Sequence, residues 1–480
     1  MKVRPVVRGI ALAVILLVAA AGAYVEAAPS SQSYAGTRLR VAVEFDSEFP
    51  MWETEAPAIR EQYGIDLDLE VVPSAELYNR LREEAQAGTS SLDIVGFPPI
   101  YNGTLMDGLL APLDEFIARY PIDVADILPP YRDPFMQWNG TTFGVTLDGD
   151  ILVLYFRRDL FDHPAEQARF KQEYGYELTP PQTWVEYLQI AKFFTRKPGD
   201  PLGDATLKEP FYGTVEWWQP PFNFFWWAAR FGSLGGIYFD SDMNPQINSP
   251  AGVKALQAYV GALQYMSPDA VNYDYAAVRR DLLEGHAAMA IFWPTEIKLA
   301  NIPGQYPVAG KLGVASLPGT KLADGTLRVA SPIAYAKVLA IPRASRHPEA
   351  AFQVIRYMTS PDVSLRWVSD PVTGLDPYRY SHIERLDEWV LRWDGMEQYT
   401  DGLVRNLENA YPELTLPGAT DYMQVAADQF HRVARGEISA QQAVDNAAGM
   451  WNEVTARLGR DRQIAAWRMT VDVWKAAGFR

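Results

Sequence analysis

Apolar residues alternate with other residues in "TRLRVAVEFD", where Leu39, Val41 and Val43 fall on one side, and this predicts a β-strand. "WETEAPAIREQYG" predicts a helix, "IDLDLEVVP" a second strand of period two, and "SAELYNRLREEAQAG" another helix. Ser74 stands where a capping hydroxyl would, and Gly88 where a helix end takes a left-handed residue. "SLDIVGFPP" predicts a short apolar strand closed by a Pro pair. Strand alternating with helix argues for an α/β lobe on a mainly parallel sheet. Ligands of such sheets sit beyond the carboxyl ends of the strands, which directs attention to Glu44–Phe49 and Gly96–Asn102.

The pattern changes in the middle. "FGVTLDGDILVLYFRRDLF" predicts a strand with an acidic interruption at Asp148-Gly-Asp150. Thr183 and Glu186 form a capping box ahead of the apolar-periodic helix in "TPPQTWVEYLQIAKFFT". Ser249-Pro250 opens a further helix, since Pro is tolerated at the first helical position. From about residue 380 the chain is almost wholly helical by pattern, and no repeat of fixed period is present. A chain of 480 residues is too long for one compact core, so two lobes are expected: an α/β first lobe and a helix-rich second.

Composition adds a folded, acidic, exported chain to this picture. It is 48% hydrophobic and 21% charged, which argues against extended disorder. Lys2, Arg4 and Arg8 precede the apolar run "GIALAVILLVAAAGA" and the polar "APSSQS", the order of a secretory signal peptide over residues 1–27. A retained membrane anchor is the alternative, against which the shortness of the run speaks. Removing those residues takes away three basic side chains and one acidic one, shifting the net charge from −16 to −18. Such a charge disfavours nucleic acid and anionic membranes. With no Cys there are no disulfides, no thiolate metal sites and no lipid-modified cysteine, so the expected location is the bacterial periplasm.

Searches for reaction chemistry return little. The five His are scattered, with no H-E-x-x-H or i, i+4 pair, so no metal site is expected. "FGSLGG" lacks the spacing of a nucleophile elbow, and "GQYPVAGKLG" places Leu312 where a P-loop needs Ser or Thr. No G-x-G-x-x-G follows a strand, and no cofactor or catalytic residue is assigned. Asp148 and Asp150, at i and i+2, would share one face of a strand. They are either an ordinary polar turn or acceptors for ligand hydroxyls. A calcium loop would need more oxygen ligands than "LDGDILVLY" offers.

"EWWQPPFNFFWWAARFG" is the densest aromatic stretch in the chain. Core packing is its default reading, and the acidic charge argues against a membrane patch. Trp217, Trp218, Trp226 and Trp227 come in adjacent pairs, and neighbours on a helix or strand cannot both face one core. A cleft wall would use one ring of each pair for a ligand, with Asn223 and nearby carboxylates meeting its hydroxyls.

Several segments, in order, resemble the extracellular carbohydrate-binding proteins of ABC importers, the maltose-binding-protein-like family. They are "DIVGFPPIYNGTLMDGLLAPLDEFI", "GVTLDGDILVLYFRRDLFDH…TPPQTWVEYLQIAKFFT", "LLEGHAAMAIFWPTEI", "GKLGVASLPG", "ASPIAYAKVLAIPRASRHPEAAFQVIRYMTSPD" and the closing "AYPELTLPGATDYMQVAADQFHRVARGEISAQQAVDNAAGMWNEV". The resemblance spans about residues 36–457, with Arg157 and Arg158 where Asn-Lys is usual and residues 460–480 outside the common pattern.

It implies a type II-like two-lobe periplasmic-binding fold of the α/β class. Lobe 1 would be residues 28–147 with 334–380, and lobe 2 residues 148–333 with 381–480. It also implies a ligand cleft. Asp150 falls on its acidic crossing position, Asp46 and Phe97 on the first-lobe half, and Trp293 on the stacking tryptophan. The 216–227 run falls on the second-lobe wall, Tyr422 near a C-terminal aromatic, and Ser331 on a usually Gly-rich crossing.

The function implied is capture of a carbohydrate or polyol by a monomer that performs no chemistry and hands it to permease subunits. Alternatives are an exported carbohydrate-active hydrolase using Asp148 or Asp150, and a sensory protein serving a chemoreceptor or kinase. A cleft short of Arg and Lys, Arg230 excepted, favours a neutral, hydroxyl-rich ligand.

Overall fold

A computed structural model describes residues 34–45 and 48–479. The expected signal segment and Asp46 lie outside the described residues. Two sheets organise the molecule. The first has five strands in the order Ile65–Val71, Thr37–Val43, Ile94–Phe97, Lys337–Ala340, Gly144–Asp148. Its first three strands run parallel, and Lys337–Ala340 lies antiparallel between Ile94–Phe97 and Gly144–Asp148. The second sheet has the order Tyr212–Val215, Ala287–Phe292, Val153–Arg157, Leu312–Ala315. There only Tyr212–Val215 and Ala287–Phe292 pair in parallel.

The predicted strand around Asp148 therefore divides. Gly144–Asp148 ends in the first sheet, and Val153–Arg157 begins in the second. Between them the chain crosses, with Ile151 bridged antiparallel to Ile333 and the Leu152 N–H donating to the Pro332 carbonyl at 3.0 Å. A third segment joins this junction, as Ser331–Pro332 pairs in parallel with Ala410–Tyr411. Backbone groups that would be orphaned in a buried crossing are thereby satisfied.

Local sequence explains the helix ends. Thr183 and Glu186 cap the helix Trp184–Phe194 reciprocally, and Gly88 ends Ser74–Ala87 at φ 67°. Ser74 is not a cap. Pro73 holds the N-cap position, and the Ser74 hydroxyl instead donates to Glu44 Oε1 at 2.6 Å. The C-terminal region carries helices Met396–Glu408, Ala419–Ala434, Ala440–Leu458 and Arg460–Ala476. Just past residue 380 the chain bonds to residues within the stretches expected for the first lobe, with Ser381 donating to Asp126 and His382 hydrogen-bonded to Ser364.

Helix Asn223–Ser233 is buried along its whole length, enclosed by Pro250–Ala262, Ala419–Ala434 and the Ser331–Pro332 strand. It holds Arg230 in an ion pair with Glu216 at 2.8 Å, beneath the Trp184 ring. Arg230 is thus a structural cation.

Gly149 makes the tightest fit in the crossing. A Cβ there would lie 2.4 Å from the Pro377 carbonyl oxygen and 2.8 Å from Tyr378 Cβ. Backbone on one side leaves little room to yield, so Gly149→Ala is expected to cost about 1–3 kcal/mol. Guanidinium denaturation checks this, and an unchanged midpoint at equal slope would contradict it.

Candidate functional site

The carboxyl ends of both sheets' parallel strands converge on one cavity of about 530 Å³. This size falls within the range of small-molecule pockets. The first sheet contributes Phe45, Glu48 and Met51 from beyond Thr37–Val43, together with Asp148 at the end of its strand. The second contributes Trp217 beyond Tyr212–Val215 and Trp293 beyond Ala287–Phe292. The crossings supply Asp150, Tyr335 and Lys337, and a loop at residues 371–375 closes one side.

Aromatic rings form the wall. Trp217 packs at 5.7 Å and 80° against Trp293, and at 4.9 Å against Phe222. Phe222 in turn meets Tyr335 at 4.8 Å. Trp293 is anchored from two directions. Its indole N–H donates to the Ala334 carbonyl at 2.7 Å, and the Tyr155 hydroxyl lies 2.6 Å from its carbonyl oxygen. One aromatic residue thus ties the second sheet to the returning crossing.

Carboxyl groups form the floor. Asp148 Oδ1 accepts the N–H groups of Gly149 at 2.8 Å and Asp376 at 2.7 Å. Asp376 Oδ2 accepts from the Thr295 N–H at 3.2 Å, and its carboxyl lies beside that of Asp150. Burial pushes Asp148 up to about 6 and Asp376 up to about 7. Asp150 rises well above the ordinary carboxylate range, through burial first and then the charges of Asp148 and Asp376. The two cations lining the cavity each have a carboxylate partner: Lys337 pairs with Glu48, and Arg279 with Glu296 at 3.1 Å. Glu296 also accepts from the Tyr275 hydroxyl at 2.7 Å.

Of the residues singled out from sequence, Asp148, Asp150, Trp217 and Trp293 line this cavity. The first tryptophan pair divides because an extended segment points neighbours to opposite sides. Trp217 faces the cavity, while Trp218 stacks on Tyr259 at 3.8 Å in the interior. The second pair does not divide. Trp226 donates to the Ile291 carbonyl behind the wall, and Trp227 donates to Gly252 and stacks on Phe231. Both are buried because their helix is enclosed on all sides.

The remaining candidates sit elsewhere. Asn223 donates to the Ala427 carbonyl, Ser331 to Asn406 Oδ1, and Tyr422 bonds Thr455. Phe97 sits inside the first sheet, paired with Val338. None of these four lines the cavity.

Phe45 and Glu48 fall in the Glu44–Phe49 segment beyond the first strand, but Tyr275 and Glu296, with Asp376 beneath them, gave no sequence signal. Lys337 did leave one: a lone charge in the apolar run "AKVLAIP". Tyr335 is unusual in conformation, at φ 70°, with its hydroxyl on Glu44 at 2.6 Å. Among the described residues, no group of three or more His, Cys, Asp or Glu is arranged to hold a metal ion.

Two lobes meeting at paired crossings around a cavity define a two-lobe periplasmic-type binding protein. Solved structures share that fold. The chain superposes on a solute-binding protein from Agrobacterium radiobacter K84, in complex with ribitol, with TM-score 0.71 and 22% identity, covering 88% of this chain and 99% of that one. It superposes on maltose-bound T. maritima MalE3 with TM-score 0.68 and 20% identity, covering 87% and 100%. A family model for bacterial extracellular solute-binding proteins matches residues 52–364, and the chain belongs to that family. It is 26% identical to a probable ABC transporter-binding protein of Deinococcus radiodurans over 350 residues, 70% of this chain and 75% of the relative.

The buried carboxyls carry a pH dependence of definite sign. A carboxyl whose pKa is higher folded than unfolded binds more protons when folded, so stability falls as pH rises through that interval. For Asp148, Asp150 and Asp376 the decline starts near the ordinary carboxylate pKa and runs through about 6 and about 7 for the first and last. Asp150→Asn should therefore be more stable than the parent at pH 8, with the gap closing toward pH 4. Thermal melts across this range check it, and a gap that widens toward acid would contradict it.

Proposed function

We propose that this protein captures a carbohydrate or polyol in the cavity between its lobes and delivers it to the transmembrane subunits of an ABC importer. The observation that carries the reading is a wall of Trp217, Phe222 and Trp293 facing a carboxyl floor at the lobe crossings. Flat rings suit the C–H faces of a sugar or polyol, and carboxyl groups accept from its hydroxyls. Family membership supports the binding role, and the ribitol and maltose held by structural relatives support the ligand class. Binding is coupled to hinge closure, because a ligand touching both lobes stabilises the arrangement that brings them together. In this reading the protein is exported to the periplasm, acts as a monomer and catalyses no reaction.

A thermal-shift screen of sugars and polyols tests the ligand class, since a ligand of the folded state raises the apparent melting temperature. At least one hydroxyl-rich compound should raise it. Product formation from any oligosaccharide would instead favour the hydrolase alternative. For the ligand so found, Trp293→Ala should weaken binding by about 2–4 kcal/mol, the scale for a buried aromatic anchor. Calorimetric titration reads this on protein shown to be folded, and an unchanged affinity would sink the proposal for that ring.

A further inference from the structure

The charges around the cavity do not balance. Among the described residues, Glu48, Asp148, Asp150 and Glu296 line it against Arg279 and Lys337. Glu48 and Glu296 are the partners of those two cations, which leaves Asp148 and Asp150 as the excess. Beneath them Asp376 adds a third carboxyl. Lys298 adds one further cation, whose ammonium donates to the carbonyls of Val368 at 2.8 Å and Leu375 at 2.6 Å. Burying unpaired negative charge is costly, and burial pushes the carboxyls of both Asp150 and Asp376 upward, toward holding a proton. Asp148, Lys298 and Lys337 act on that pair, with the hydroxyls of Tyr131, Tyr155, Tyr275 and Tyr399 nearby.

The wall opposite has affinity for cations too. Lys337 Nζ lies 4.8 Å from the Phe45 ring centroid, and the Arg279 guanidinium 5.7 Å from that of Tyr275. The ring faces of Trp217 and Trp293 have no such cation of their own among the described residues. A site with surplus carboxyl below and tryptophan above is the environment that stabilises an ammonium group.

We propose that the ligand is an amino sugar or amino-polyol whose ammonium group sits between Asp150 and the rings of Trp217 and Trp293. The inference rests on the carbohydrate or polyol reading of the same cavity and refines its ligand class from neutral to basic. The ammonium donates N–H···O bonds to the Asp150 carboxylate, and a proton held by the Asp150 and Asp376 carboxyls passes to solvent. That O–H dissociation is the only covalent change.

Matched compounds test it: glucosamine against glucose, glucamine against sorbitol, and choline as a cation without a polyol chain. Calorimetry at neutral pH, in two buffers of different ionisation enthalpy, reads affinity and proton release together. The amine should bind about tenfold tighter or more than its neutral partner, the scale of hydrogen bonds to a charged group. It should also release a proton that the neutral compound does not. Asp150→Asn should collapse the difference within each pair. Because the wild-type comparison stands without the variant, a poorly folding variant does not blunt the test. A neutral compound that binds as tightly as its amine overturns this inference and leaves the carbohydrate reading intact. Choline bound with no sugar, polyol or amine derivative of either bound would overturn both this inference and the carbohydrate reading. Failure of every compound would overturn both.

Discussion

Everything at the site depends on the pairing of two chain crossings. Ile151 and Ile333 meet antiparallel, and the Leu152 N–H reaches the Pro332 carbonyl. That pairing places Asp148 and Asp150 on one crossing beside Tyr335 and Lys337 on the other. Without it, four functional side chains from residues nearly two hundred positions apart would have no fixed relation. It also supplies the backbone hydrogen bonds that let irregular chain run through a dry interior. The third segment, Ala410–Tyr411, extends the junction and explains why Ser331 is occupied structurally.

Around this junction the cavity wall draws on the second sheet and on the crossings. Trp217, Phe222 and Trp293 come from segments that follow second-sheet strands and Tyr335 from the returning crossing, while Asp148 and Asp150 come from the other crossing with Asp376 beneath them. Trp293 links the two, with its ring on the cavity and its N–H on Ala334 of the returning crossing. A change in lobe angle would strain that contact, which couples the cavity wall to the crossing. Solute-binding proteins work by such coupling, since only contacts that differ between open and closed forms can shift their balance.

How much of this was legible in the sequence follows from how local each feature is. The strand pattern from Leu39 to Val43 and the capping box at Thr183 and Glu186 are contained in a few residues, and both appear as expected. Trp293 was placed by a recurring segment pattern, and it lies on the cavity. The crossing was harder. Gly144–Asp148 and Val153–Arg157 are each ordinary apolar strands, and nothing local says that they join different sheets. Trp226 and Trp227 lie off the cavity because the helix carrying them is enclosed by segments far away in the chain. Asp376 was invisible for the same reason: its role exists only where a loop from beyond the second crossing folds under Asp148 and Asp150.

The central claim is that one ligand, held between both lobes, stabilises their closure. Small-angle X-ray scattering tests it most directly, recorded on the protein alone and then saturated with a compound from the sugar and polyol screen. The account predicts a smaller radius of gyration with ligand, reached at one molecule per chain. Saturable binding that leaves the radius unchanged would contradict it.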